Sequence, residues 1–347
     1  MVKNGTVVNF ASDNSAPVAP KIIAALQKAN AGPMPSYGND PLTRGVEEKL
    51  KQIFECDLRA FPVATGTAAN VLGLSVMTPP YGSIYCHQLA HIEHDECGAP
   101  EFYTHGAKLV KFDGAGGKLR AAELDAALKN SGAGNVHHVQ PAVICLTQAT
   151  ESGTVYRPEE VAEIGLVAQK YDLGLHMDGA RFANALSYLG CAPADVTWRA
   201  GVDVLSFGAT KNGAMGTEAV VFFNLEKARE FEFRRKRGAH LFSKMRYLSA
   251  QLDAYLTDDL WLDLAGHANR MAREAAKGIS AIPGAEVLYP VEANMIFARL
   301  PEVSLECLAV SDILYYRNGE ESAGEVRLVT SWNTSEQDVS HLLKVIA

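Results

Sequence analysis

The chain has 347 residues, of which 48% are hydrophobic and 21% charged, a composition typical of a globular protein. Its net charge of −8, from 40 acidic against 32 basic residues, argues against nucleic acid or an anionic membrane as a general partner. No segment approaches the ~18 apolar residues of a membrane span, and the N-terminus lacks the apolar core of a secretory signal. Six scattered cysteines without a CxxC pair favour reduced thiols, so we expect a cytoplasmic protein.

The N-terminal part of the chain is predicted to combine a helix with an irregular loop. The helix is expected to run from Pro17 to about Asn30. Ser12, in the turn before it, is typical of a helix-capping residue. Three prolines and two glycines exclude regular structure from residues 31–41, the loop that contains Tyr37.

An apolar segment that runs into small residues predicts an anion-binding site. Residues 61–77 begin as a short strand, continue through Thr65, Gly66 and Thr67, and then favour a helix. The first N–H groups of a helix have no partner within it, and together with the helix dipole they attract anions. The same pattern is also typical of an ordinary capped helix. No Walker A sequence occurs, which disfavours a nucleotide phosphate.

Three histidines follow a strand predicted at residues 83–86. His87 and His91 lie four residues apart, as zinc ligands on a helix do, but the HExxH motif requires Glu where this chain has Gln88. His94 does not complete a ligand set, and we expect no metal here. His91 is instead a candidate for hydrogen bonding or proton transfer.

The most informative stretch covers residues 174–216. Two apolar runs predict buried parallel strands, one ending at Asp178 and the other at Lys211, at the sheet edge where α/β proteins bind ligands. Pyridoxal 5'-phosphate (PLP) requires such a pair, because the amine forms a Schiff base and the acid keeps the ring nitrogen protonated. Each residue alone is more typical of a cap or a solvated side chain. Arg181, three residues after the acid, strengthens the combination.

The C-terminal part changes pattern beyond about Thr257 and predicts a smaller α+β region. Within it, residues 326–334 predict an apolar strand that carries Arg327. An unpaired buried guanidinium is costly, so we expect Arg327 to bind a carboxylate through two hydrogen bonds. The basic run at residues 234–237 is more typical of a solvated face than of a nucleic-acid site.

The sequence around the acid and the lysine resembles that of the low-specificity L-threonine aldolases and phenylserine aldolases. These belong to the fold type I PLP enzymes, in the aspartate aminotransferase superfamily. The similarity is clearest at residues 176–185 and 206–216, and it extends from Ser12 to Thr334.

The resemblance implies an α/β fold of the PLP-dependent transferase type. Residues 1–256 are expected to form an N-terminal arm and a large domain, with a mostly parallel sheet flanked by helices. Residues 257–347 are expected to form a small α+β domain. Since such sites usually lie at a subunit interface, the resemblance also implies a homodimer or a homotetramer.

The resemblance implies a role for each candidate residue. It assigns PLP binding to Thr65, Gly66, Thr67, His91, Asp178, Arg181 and Lys211, with Lys236 and Lys244, and more weakly Arg246, reaching the phosphate across the interface. It assigns the amino-acid substrate to Ser12, Tyr37, Arg181 and Arg327. The family's second active-site histidine is replaced by Glu151. The proton of the substrate hydroxyl is therefore left to His91, Glu151 or water.

The implied reaction is retro-aldol cleavage of L-threonine, L-allo-threonine or L-phenylserine-type β-hydroxy-α-amino acids to glycine and an aldehyde. Its catalytic residues would be Lys211, His91, Asp178 and Glu151. The same acid and lysine also support β-elimination or serine hydroxymethyl transfer. A PLP-binding protein without catalysis and a metal hydrolase built on the histidines are more distant alternatives.

Overall fold

The computed structural model describes residues 7–318 and 324–347. The strands are β1 (Val8–Asn9), β2 (Arg59–Val63), β3 (Gly82–His87), β4 (Lys108–Phe112), β5 (Gln140–Thr147), β6 (Gly174–Gly179), β7 (Val204–Gly208), β8 (Glu218–Phe222), β9 (Glu286–Val287), β10 (Met295–Arg299), β11 (Ile313–Leu314), β12 (Tyr316–Arg317) and β13 (Glu325–Val329). The helices are α1 (Pro20–Ala29), α2 (Pro41–Phe54), α3 (Gly66–Met77), α4 (His91–His94), α5 (Ala99–Tyr103), α6 (Ala121–Lys129), α7 (Pro158–Lys170), α8 (Phe182–Leu189), α9 (Leu225–Arg237), α10 (Arg246–Leu256), α11 (Leu260–Ile279), α12 (Glu302–Val310) and α13 (Glu336–Ile346).

A seven-stranded sheet with the order β2-β8-β7-β6-β5-β3-β4 forms the centre of the molecule. The strands from β7 to β4 are parallel to their neighbours, whereas β8 pairs antiparallel with both β2 and β7. Every residue of β3, β6, β7 and β8 is buried, as expected for strands covered by helices on both faces. The predicted α/β class with a mostly parallel sheet is therefore confirmed.

Two apolar cores lie on the two faces of this sheet. Helices α3, α4 and α9 bury Leu72, Ile92 and Phe231 on one face. Helices α2, α7, α8 and α10 cover the other face, where Phe54 and Phe182 belong to a cluster of aromatic rings. Helix α2 buries Val46, Leu50 and Phe54 from one side, and Asp40 fixes its start by accepting the N–H of Thr43 at 2.9 Å.

The C-terminal segment forms a second, antiparallel sheet with the order β12-β13-β10-β9. Helices α11, α12 and α13 pack on it. The short strand β1 pairs in parallel with β11, and Phe10 is buried in this C-terminal core. Helix α10 ends at the predicted boundary, but α11 contributes Trp261 to the large core and Ile279 to the C-terminal core. The division at residues 256 and 257 stays a prediction.

None of the helices within the described residues combines the length and the apolar character needed to cross a bilayer.

Candidate active site

A cavity of about 280 Å³ opens at the carboxyl ends of β6 and β7. The start of α3, the start of α4, the turn after β7, the start of β8 and the N-terminal segment supply the rest of its wall. It is lined by Asn14, Ala64, Thr65, Gly66, Thr67, Asn70, His91, Asp178, Ala180, Thr210, Lys211 and Glu218. Six of the residues predicted for cofactor binding therefore lie at one cavity, at the sheet edge where parallel strands present ligand-binding side chains.

Asp178 lies near the end of the central strand β6 and is only 3% exposed. Its Oδ1 accepts the N–H of Ala180 at 3.0 Å, and its Oδ2 accepts a hydrogen bond from Asn70 Nδ2 at 2.8 Å. The carboxylate is thus held at the cavity wall by two donors. Such a fixed, desolvated acid is suited to pair with a cationic ring nitrogen.

Lys211 lies in a 3-10 turn (Thr210–Asn212) that follows β7. Asn212 holds this turn in place. Its Nδ2 donates to the hydroxyl of Tyr255 and to the carbonyl of Trp261, both at 2.8 Å. Among the described residues, the Lys211 side chain has neither a hydrogen bond nor an ion pair. Its amine is therefore available for a ligand of the cavity.

Glu218, at the start of β8, holds the backbone just before the lysine. Its Oε2 accepts the N–H of Ala209 at 2.6 Å and that of Thr210 at 3.5 Å. Burial raises the pKa of Glu218 to about 7, although these hydrogen bonds and the charge of Lys211 oppose the shift. A carboxyl that changes protonation near neutral pH therefore lies beside the candidate Schiff-base lysine.

The start of α3 forms the predicted anion site. Thr65 is the N-cap, and its hydroxyl accepts the N–H of Ala68 at 3.1 Å while its carbonyl accepts that of Ala69. Within the described chain, the N–H groups of Gly66 and Thr67 have no acceptor, and both residues line the cavity. These two donors at the positive end of a 12-residue helix fit a phosphate group.

His91 belongs to a chain of hydrogen bonds that begins at Asp178. Asn70 Nδ2 donates to Asp178 and also, at 2.8 Å, to Glu96 Oε1. The same oxygen lies 2.8 Å from His91 Nδ1. The hydrogen bond to Glu96 raises the pKa of His91 against the effect of burial, and burial raises the pKa of Glu96 against the effect of His91. His91 and Glu96 are therefore coupled through this hydrogen bond.

Arg181 forms a buried ion pair with Asp13, for which the sequence predicted no role. Its Nε and Nη2 donate to the two oxygens of Asp13 at 2.8 and 2.9 Å, and the pair is buried. Asn294 Nδ2 also donates to Asp13, at 3.0 Å. Burial would raise the pKa of Asp13, but the charges of Arg181 and Lys211 outweigh it and lower the pKa. Ser12 caps the next turn by accepting the N–H of Asn14 at 3.1 Å.

Arg327 lies on β13 with its guanidinium over the ring of Tyr316, 5.5 Å from the ring centroid. Its buried Nε has no hydrogen-bond partner among the described residues. Burial lowers the pKa of Arg327, and so does the neighbouring charge of Arg181, whereas the charges of Asp13 and Glu151 oppose this. An unpaired, partly desolvated guanidinium near Arg181 and Asp13 fits the predicted carboxylate site.

Ser12, Arg181 and Arg327 are not among the residues that line this cavity, and neither are the remaining candidates. Glu151 follows β5 and lies near enough to Arg181 for its charge to raise the pKa of that arginine. Tyr37 is 46% exposed, and the Lys236 ammonium lies 5.1 Å from the centroid of its ring. Lys244 is also exposed.

Two further residues named in the sequence analysis make backbone contacts instead. Arg246 donates to the carbonyl of Gly32 at 2.7 Å. In His87, Nδ1 accepts the N–H of Leu89 and Nε2 lies 3.0 Å from the carbonyl of Gly114, so both ring nitrogens are engaged. Across residues 7–318 and 324–347, no three His, Cys, Asp or Glu side chains form a group that could hold a metal ion.

Four buried polar residues of the site were missed or given no role from sequence: Asp13, Asn70, Glu96 and Glu218. Their signal is weak but present. Asn70 interrupts a mostly apolar helix, and Glu218 begins an otherwise apolar strand. A polar residue in such a place is unusual unless it is paired.

Solved structures define the class of protein that has this fold. An aspartate aminotransferase from Rhodobacter sphaeroides matches with a TM-score of 0.70 at 15% identity, covering 99% of this chain and 93% of that one. The fold is that of the fold type I PLP-dependent enzymes, as the resemblance implied.

The chain belongs to the beta-eliminating lyase family, whose model matches residues 9–301. It is 44% identical over 338 residues to a low specificity L-threonine aldolase from Pseudomonas aeruginosa, covering 97% of this chain and 96% of that one. A solved threonine aldolase from Leishmania major matches with a TM-score of 0.91 at 29% identity, covering 97% and 98% of the two chains.

Proposed function

We propose that this chain is a PLP-dependent aldolase that cleaves β-hydroxy-α-amino acids such as L-threonine, L-allo-threonine and L-phenylserine to glycine and an aldehyde. The observation that carries the proposal is the cavity that Asp178 and Lys211 share with His91 and the start of α3. The similarity to threonine aldolases over almost the whole chain supports the same conclusion.

The residues of the cavity fit PLP. When bound, PLP accepts the electron pair released as the bond between Cα and Cβ breaks. Lys211 would hold the cofactor covalently, and Asp178 would keep its ring nitrogen protonated. Thr65, Gly66 and Thr67 would bind the phosphate, for which two unpaired N–H groups are present.

Arg327 is the candidate receptor for the substrate carboxylate. Its buried Nε is free among the described residues, and a charge-assisted hydrogen bond to a carboxylate is the contact that such a group lacks. Arg181 would contribute through the part of its guanidinium that Asp13 does not engage, and Ser12 lies beside that pair.

His91 is the candidate acceptor for the proton of the substrate hydroxyl. It lines the cavity, and a general base must lie within hydrogen-bond reach of the proton that it removes. Glu151, or a water molecule that it activates, is the alternative acceptor. Glu151 does not line the cavity in this structure, so His91 carries the greater weight.

A homodimer or homotetramer is part of the proposal. Tyr37, Lys236 and Lys244 are exposed and lie apart from their own cavity, which supports a role at the cavity of a neighbouring subunit. All six cysteines are unpaired, which supports a reducing compartment such as the cytoplasm.

The test is to identify the products formed from L-threonine and L-phenylserine by the purified protein loaded with PLP. We expect acetaldehyde and benzaldehyde, each together with glycine. The Lys211→Ala variant is the control and should form neither aldehyde. Release of ammonia and a keto acid would instead indicate β-elimination, the reaction for which the family is named. Transfer of a one-carbon unit from serine would indicate hydroxymethyl transfer.

A further inference from the structure

Glu96 and Asn70 form a bridge between two residues of the cavity that carry the proposed chemistry. Asn70 uses Nδ2 to contact both Asp178 and Glu96 at 2.8 Å, and Glu96 Oε1 lies 2.8 Å from His91 Nδ1. We propose that Glu96 is a positioning residue that fixes the protonated nitrogen of His91 and stabilises its cationic form. This inference rests on the proposed function, because it assigns His91 the task of accepting the substrate proton.

The hydrogen-bond geometry determines which ring nitrogen faces the cavity. An ionised carboxylate only accepts hydrogen bonds, so Glu96 Oε1 accepts one from Asn70 and a second from His91. His91 Nδ1 therefore carries a hydrogen. In the neutral ring the lone pair then lies on Nε2, which is left for the cavity and is able to accept a proton from the substrate hydroxyl.

The charge of Glu96 would act once that proton has moved. The imidazolium formed at His91 would face a buried carboxylate at 2.8 Å, and such a contact is strong where water is excluded. The Glu96 side chain is fully buried, whereas that of His91 is 29% exposed toward the cavity. This is how a buried acid supports a histidine base in many hydrolases.

Two buried oxygens of the bridge lack partners among the described residues. Asn70 Oδ1 and Glu96 Oε2 make no hydrogen bond, and a buried polar atom without a partner destabilises the folded state. Two apolar side chains in place of Asn70 on α3 and Glu96 in the loop after α4 would bury no unpaired oxygen. Buried polar atoms normally have hydrogen-bond partners, and exceptions concentrate at functional sites. The two unpaired oxygens therefore favour a role of Asn70 and Glu96 in the chemistry over a role in folding.

The charged groups that face His91 are Glu96, Asp178 and Lys211. The hydrogen bond that His91 donates to Glu96 raises the pKa of His91, burial opposes it, the charges of Asp178 and Glu96 raise the pKa further, and that of Lys211 lowers it. Of these, only Glu96 forms a hydrogen bond with the ring. Replacing it by glutamine keeps the shape and removes the charge, and the pKa of His91 should fall.

The experiment compares wild type with Glu96→Gln and with the control Glu93→Gln. Glu93 lies on α4, two residues after His91, but forms its ion pair with Lys111 at 2.8 Å and does not line the cavity. The imidazole nitrogens of His91 are observed by NMR in protein labelled with nitrogen-15 at histidine, with and without PLP. Their signals are assigned by their absence in His91→Asn.

We expect wild-type His91 to be protonated at Nδ1 and to titrate at a higher pH than in Glu96→Gln, while Glu93→Gln matches wild type. Turnover of L-threonine by Glu96→Gln should fall roughly 10–100-fold, with KM nearly unchanged and the acid limb of kcat moved to lower pH. The control should keep the wild-type profile.

Each negative outcome has a distinct meaning. If the neutral His91 ring of the wild type carries its hydrogen on Nε2, the inference is wrong, and no variant is needed to show it. A Glu96→Gln variant whose His91 titrates as in wild type would also overturn the inference. Because the NMR signals do not depend on turnover, they test the position of the proton even if wild type releases no aldehyde. A wild-type protein that releases no aldehyde would reject the proposed function but not the role of Glu96.

Discussion

Glu218→Gln should stabilise the protein at alkaline pH and leave its stability nearly unchanged at acid pH. Glu218 is only 7% exposed, and burial raises its pKa from 4.5 to about 7. Because the folded state binds this proton more tightly than the unfolded state, the free energy of unfolding falls as the pH rises between these values. The pKa difference corresponds to a loss of about 3 kcal/mol above neutral pH, which glutamine avoids while its carbonyl still accepts the N–H of Ala209.

The assay is urea unfolding, followed by tryptophan fluorescence at about pH 5 and about pH 8, on wild type and variant without PLP. The variant should gain up to about 3 kcal/mol at the higher pH relative to the lower one. Glu274→Gln, an exposed residue in the middle of α11, is the matched control and should show no such dependence. A difference between Glu218→Gln and wild type that is the same at both pH values would refute the reasoning.

Three further substitutions test other contacts of the site. Asp13→Asn leaves the buried Arg181 without its counter-charge and should lower the free energy of unfolding by about 3–5 kcal/mol, measured by urea unfolding. Arg327→Gln should raise KM for L-threonine by roughly 10–100-fold, since a charge-assisted hydrogen bond contributes about 1.5–3 kcal/mol, and absorbance titration should show unchanged PLP binding. Thr65→Val removes the cap that holds Ala68, so it should cost about 1 kcal/mol of stability and weaken PLP binding in equilibrium dialysis; unchanged values in both assays would contradict the cap.

Local patterns predicted the framework of the site because its strands are buried along their whole length. The apolar runs that end near Asp178 and Lys211 correspond to β6 and β7, which pair in parallel at the centre of the sheet. Both residues lie at one cavity because parallel strands end at the same edge. For these residues the sequence was informative, since strand burial and strand ends are local properties.

The polar network could not be predicted in the same way because its partners are distant in the chain. Asn70 lies 26 residues from Glu96 and 108 residues from Asp178, yet one amide group contacts both carboxylates. Arg181 and Asp13 are separated by 168 residues. No pattern of period two or 3.6 encodes such pairings, since they arise only when helices and strands have packed together.

The N-terminal segment shows how the two sheets come to share one site. Asp13 receives hydrogen bonds from Arg181, which follows β6, and from Asn294, which precedes β10 of the C-terminal sheet. Close to this point β1 pairs with β11, and Val329 of β13 donates its N–H to the carbonyl of Phe10. A shift of the C-terminal sheet would therefore break buried contacts of Asp13 and move Arg327, two residues before Val329. In the proposed function, the C-terminal sheet would hold the substrate carboxylate through Arg327 and the central sheet would hold the cofactor, and Asp13 contacts residues next to both sheets. Asp13→Asn should therefore impair substrate binding more than PLP binding.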